Sequence, residues 1–118
     1  MRQRVANNVI LDTMNTPQEW SRAVETGGDN AFMYEYWAIG TGTLATLGIE
    51  VDGSNDLANW SALTSTVATN TTFPLYMRID TYTDKVPWRY LRLRYSVADS
   101  TTLHRVMMAA TIETYMRP

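Results

Sequence analysis

Trp88-Arg89-Tyr90-Leu91-Arg92-Leu93-Arg94-Tyr95-Ser96-Val97 alternates without a fault. Leu91, Leu93, Tyr95 and Val97 share one face, and Tyr90, Arg92 and Arg94 share the other. Period two over this length is the mark of a strand with one buried face. The same texture recurs along the chain. Ala31–Ile39 places Phe32, Tyr34 and Tyr36 opposite Met33, Glu35 and Trp37. Leu44–Asp52 sets Leu47, Ile49 and Val51 against Gly48, Glu50 and Asp52. Trp20–Glu25, Trp60–Val67, Leu75–Tyr82 and Leu103–Tyr115 complete the set. In the last, Val106, Met108, Ala110 and Ile112 oppose Arg105, Met107, Thr111 and Glu113. Turn clusters separate them: Gly27-Gly28-Asp29-Asn30, Gly40-Thr41-Gly42, Gly53-Ser54-Asn55-Asp56, Thr83-Asp84-Lys85 and Ala98-Asp99-Ser100.

About seven or eight short strands at regular spacing predict an all-β fold, an antiparallel β-sandwich or jelly roll. The segment 103–115 is rich in Met, Ala and Leu, which also suits a helix. Period two and the lack of an N-cap box favour the strand. A short helix after Pro17 within 12–25 is a further option. Residues 1–18 are polar, with Asn7-Asn8, Asn15-Thr16-Pro17 and one apolar patch, Val9-Ile10-Leu11. They read as an extended N-terminal arm, followed by a sandwich domain at 19–118.

Composition agrees with this. The chain has 118 residues, no cysteine and a net charge of −2. That length suits one domain with a modest core. Disulfides, thiolate metal sites and thiol nucleophiles are excluded. The charge balance speaks against nucleic acid and anionic membrane as partners, and no apolar window is long enough for a span or a secretory signal. Seventeen threonines favour strands, and nine arginines against one lysine (Lys85), with seven tyrosines, match the bias of protein interfaces.

Motifs for chemistry are weak. Gly40-Thr41-Gly42-Thr43-Leu44-Ala45 fits a dinucleotide fingerprint, but a strand pattern follows it instead of a helix. Asp52-Gly53-Ser54-Asn55-Asp56 spaces oxygens like a calcium loop, yet Leu63 stands where the closing glutamate belongs. Glu50 and Asp52 lie two apart on one strand face, as a solvated stripe does. His104 is the only histidine. No catalytic residue, cofactor or metal is expected. Arg89, Arg92 and Arg94 with Trp88 and Tyr90 form the densest polar-aromatic cluster, read as a cross-strand ladder with Glu or Asp combined with a protein interface.

Ile49-Glu50-Val51-Asp52-Gly53-Ser54-Asn55-Asp56-Leu57-Ala58-Asn59-Trp60, followed by Trp88-Arg89-Tyr90-Leu91-Arg92-Leu93-Arg94, resembles small β-sandwich structural proteins of tailed bacteriophages and prophages. It is similar also to the core strands of discoidin-like domains. In that frame Ser54-Asn55-Asp56 makes a hairpin turn, Trp60 plugs the sandwich end, and Leu91 and Leu93 fill the core. The chain is shorter than a discoidin domain and lacks its flanking cysteines, so no sugar-binding residue carries over. The resemblance implies a non-enzymatic virion structural protein, foremost a capsid decoration (cement) protein, assembled from the host cytoplasm. Its expected partners are the major capsid protein or other virion proteins and copies of itself, a trimer being favoured. Expected contacts are Arg2, Arg4, Val9, Ile10 and Leu11 in the arm, and Tyr90, Arg92 and Arg94. The alternatives are a tail or neck component, or a carbohydrate-binding module stacking sugars on Trp37, Tyr34 and Tyr36.

Overall fold

The computed structural model describes residues 2–14, 17–40, 42–79, 87–99 and 105–116. His104, the turn expected at 83–85 and Ser100 of the turn expected at 98–100 lie outside them. The described residues form nine strands: β1 (Arg2–Asp12), β2 (Gln18–Trp20), β3 (Val24–Glu25), β4 (Ala31–Gly40), β5 (Thr43–Ser54), β6 (Ser61–Thr72), β7 (Leu75–Ile79), β8 (Tyr90–Ala98) and β9 (Arg105–Tyr115). That exceeds the seven or eight expected, because residues 2–12 are a strand and the 18–25 stretch is broken in two.

The path is a hairpin folded on itself. Innermost, β5 pairs with β6; then β4 pairs with β7; then β2 and β3 in succession line one edge of β8; outermost, β1 pairs with β9. Winding this ribbon brings β4 beside β9 and β5 beside β8. Sheet A thus runs β1-β9-β4-β7, and sheet B runs β2-β8-β5-β6 with β3 also on β8. Two antiparallel sheets traversed alternately in this order make a jelly-roll sandwich.

The inner faces are those the alternation assigns. Phe32, Tyr34, Tyr36, Val106, Met108 and Ile112 of sheet A are buried against Leu47, Ile49, Val51, Leu91, Leu93 and Tyr95 of sheet B. The Tyr34 hydroxyl meets the Thr66 hydroxyl at 2.9 Å across the core. Burial pushes the Tyr34 phenol above its usual range.

Two expectations are corrected. Most of the expected arm, residues 2–12, is β1, the outer strand of sheet A. It pairs with β9 from Arg2 opposite Glu113 to Asp12 opposite Arg105, and Leu11 is fully buried in the core. The register slips between Arg4 and Ala6 and again between Ala6 and Val9. Those irregularities erase the period-two signal around Asn7-Asn8, so the sequence reads as loop within a strand whose pairing resumes at Val9. The second correction concerns the sandwich end. Trp88 packs against the core there, not Trp60. A Cβ on Gly53 would stand 2.5 Å from the Trp88 ring, so the indole needs that glycine. No helix forms within 17–25 or 105–115; β9 lies between β1 and β4, where its backbone is paired on both sides.

Candidate binding surfaces

The outer face of sheet B carries the arginine ladder. The β8 alternation turns Arg92 and Arg94 outward, and the register sets them opposite Asp52 and Glu50 of β5. Arg94 Nη2 donates to Glu50 Oε1 at 3.0 Å, and Arg92 Nε donates to Asp52 Oδ2 at 3.3 Å. Asp52 is buried, and its Oδ1 has no hydrogen-bond partner. The neighbouring Asp52 carboxylate, then burial, raise the Glu50 carboxyl above its ordinary value. Arg92 lies over the Trp60 ring at 4.1 Å and the Trp20 ring at 5.6 Å, within range of cation–π attraction. Beside this stack Gly48, Glu50, Ser65, Val67, Arg94 and Ser96 line an open depression of about 180 Å³.

The loop 54–60 holds Trp60 in place. The Ser54 hydroxyl accepts from the Asp56 and Leu57 amides at 3.2 and 3.0 Å. Asp56 Oδ1 accepts from the Ala58 and Asn59 amides and from Ser54 Oγ, and Oδ2 accepts from Asn59 Nδ2. This is an Asx-type cap, and it commits the Ser54 and Asp56 oxygens to the loop itself, while Asn55 Oδ1 accepts from the Arg89 amide and Asp52 Oδ2 from Arg92. Among the described residues no cluster of three His, Cys, Asp or Glu could hold a metal. The backbone amides, followed by the Asn59 and Ser54 side chains, hold the Asp56 carboxyl far below the usual range. A depressed folded-state value means the stabilisation is full above the unfolded value and lost as pH falls. Asp56→Asn should therefore lower the urea midpoint most at pH 7, and the gap to the parent should close below about pH 4. A gap that is flat from pH 7 to pH 2 would refute this.

The outer face of sheet A is different in character. Trp37 and Tyr76 rings pack at 5.4 Å, and the Arg4 guanidinium lies 6.0 Å from the Trp37 ring. Beneath them Glu35, buried, accepts from the Tyr76 hydroxyl at 2.6 Å and from Thr111 Oγ1 at 3.2 Å. Toward one end the face turns apolar. Ile10 is 63% exposed and Ile39 49%. With Gly40, Arg105, Val106 and Met107 they line a shallow groove of about 380 Å³.

The expected contact residues therefore fall on opposite sheets, not on one site. Arg92, Arg94 and Tyr90 belong to sheet B. The arginines already have carboxylate partners, and Tyr90 is half-buried with Arg89 5.5 Å above its ring. Arg4 and Ile10 are exposed on sheet A, and Arg2 lies on the same strand. Val9 packs against the core and Leu11 is inside it, so Leu11 cannot meet a partner. Tyr34 and Tyr36 are buried too, which removes them as sugar platforms. Ile39, Met107 and Tyr76 join this surface without being among the expected contacts; the signal for them is strand alternation, which places Met107 outward and Trp37, two residues from Ile39, outward with it.

No protein-family model matches the chain, and no curated protein matches it. Solved structures are similar in fold. A structure of infectious bursal disease virus, Gx strain, aligns over 95% of this chain and 30% of that one at 10% identity, with a TM-score of 0.51. PirA aligns over 98% of this chain and 92% of its own, at 10% identity and a TM-score of 0.44. The carbohydrate-binding module CBM28, specific for non-crystalline cellulose, covers 77% of this chain and 61% of its own at 10% identity, TM-score 0.41. At these identities the likeness is one of fold.

Proposed function

We propose that this chain is a non-enzymatic virion structural protein that decorates and reinforces a capsid lattice, docking through the outer face of sheet A. The observation that carries the reading is the contiguous apolar surface of Ile10, Ile39 and Met107, continued by Trp37 and Tyr76 and flanked by Arg4, Arg78 and Arg105. Apolar cores with aromatic and arginine surrounds are the composition of protein interfaces. The jelly-roll fold suits a lattice protein, and the resemblance to phage sandwich proteins points to the major capsid protein as partner. A tail or neck position uses the same surface. Quantitative mass spectrometry of purified particles separates the roles. On the order of hundreds of copies fits closed capsid symmetry; a dozen or fewer fits tail or neck; none overturns both. Ile39→Glu, at an exposed position, should leave thermal stability within about 0.5 kcal/mol yet cut particle occupancy at least about tenfold.

A second reading, carbohydrate binding, is favoured by the Trp20–Arg92–Trp60 stack beside the polar depression of sheet B, not by the tyrosines of β4. Glycan-induced change in tryptophan emission that is lost in Trp20→Ala would support it.

A further inference from the structure

The edges of the two sheets are not guarded alike. A free strand edge offers unpaired N–H and C=O groups to another strand unless shortness, charge, proline or a bulge prevents it. β1 carries Arg2 and Arg4 and two register slips. β7 has five residues, Arg78 among them. β2 and β3 have three and two residues. β6 is the exception. It runs twelve residues, Ser61–Thr72, with no charged residue and no proline. Its register slips only opposite Val51–Asp52, and Asn70, at φ 49°, bends it near the other end. Between these points Thr64–Thr69 is a regular, uncharged edge. Among the described residues its ladder partner is β5, and the sheet order ends at β6.

We propose that β6 pairs antiparallel with β6 of a second copy across a two-fold axis at Val67, joining two B sheets into one. The occupant is a copy of this chain for three reasons. With no charge on β6, no register of self-pairing sets like charges together. Thr66 points inward to Tyr34, so Ser65, Val67 and Thr69 share the outer face. A two-fold at Val67 then sets Val67 against its own copy and Ser65 against Thr69, which buries one apolar pair between hydroxyl pairs. Val67 is 60% exposed, the exposed large apolar side chain of this strand. Finally, an isologous pair consumes both free edges and closes, whereas the guarded edges elsewhere block growth into a fibre.

The cysteine-free sequence makes the test direct. Sedimentation of the full chain should give a dimer, and Ile39→Glu should leave it intact, which separates this contact from the proposed capsid-docking face. Val67→Lys should weaken the dimer at least about a hundredfold, since two like charges then face each other, with an unchanged circular dichroism spectrum. Oxidised Val67→Cys should form a covalent dimer at least about tenfold faster than Tyr76→Cys, whose side chain sits on sheet A and is 51% exposed. A wild-type chain that stays monomeric up to about 100 µM, a Val67→Lys dimer of undiminished affinity, or preferential cross-linking through Tyr76→Cys would each overturn the proposal. So would a monomer that takes up only strands of other proteins.

Discussion

Removing residues 1–12 is expected to abolish the cooperative unfolding transition of the domain. The deletion takes away β1 (Arg2–Asp12), the outer strand of sheet A, and strips β9 of one of its two ladder partners. Leu11 leaves a void among fully buried neighbours, Val9 uncovers the core beside it, and Asp12 no longer accepts the Met14 amide or faces Arg105. Truncating a buried leucine to alanine alone costs about 2–5 kcal/mol. A domain of this size has only about 5–15 kcal/mol in total. Leu11→Ala by itself should thus lower the calorimetric midpoint by roughly 10–15 °C, while Ile10→Ala, at an exposed site, should move it by no more than about 2 °C. A truncated protein with a sharp transition near the parental temperature would show that β1 is dispensable. It follows that deletion cannot serve as a clean test of partner binding; point changes on the exposed side of β1 and β4 can.

The contrast between β8 and β1 shows what a sequence can and cannot reveal about such a fold. In β8 every second residue from Leu91 to Val97 enters the core, so one periodic signal gives strand, face and ladder at once. A ladder of arginine with acidic residues was also legible, but not that Asp52, read with Glu50 as a solvated stripe, is buried opposite Arg92. β1 obeys the same physics, but two register slips within five residues of one another break its period. Its polar Asn7-Asn8 then imitates a mobile tail. Trp60 and Trp88 fail for another reason. Both stand at strand ends next to turns, and only the three-dimensional proximity of Gly53 selects Trp88 for the core. The apolar groove at Ile10, Ile39 and Met107 is assembled from three strands far apart in sequence. Each residue reads singly as an ordinary outward position, and their sum becomes visible only when the strand order is known. The same holds for β6, whose lack of charge has meaning only once it is seen to be an edge.

Arg92→Met is expected to destabilise the protein by about 2–3 kcal/mol, and Arg92→Met combined with Asp52→Leu is expected to restore most of that loss. Asp52 is buried and Arg92 is about a quarter exposed. Removing one member of a fully buried ion pair costs about 3–5 kcal/mol, chiefly because the remaining charge loses its counter-charge while still shielded from water. The partial exposure of Arg92 lets solvent soften that penalty, which places the expected figure below the buried range. Asp52 Oδ1 is already without a hydrogen-bond partner, so after loss of Arg92 neither oxygen has its ladder donor. Replacing both partners by apolar groups removes the stranded charge together with its cause, and such swaps are close to neutral. Tryptophan emission gives a second readout, since Trp60 and Trp20 flank Arg92. It should change in the single and the double variant alike, because both lose the guanidinium. Stability that is recovered while emission stays altered would separate the electrostatic role of the pair from its role in positioning the indoles. A double variant as unstable as Arg92→Met would instead assign the loss to the stacking of Arg92 between the tryptophans.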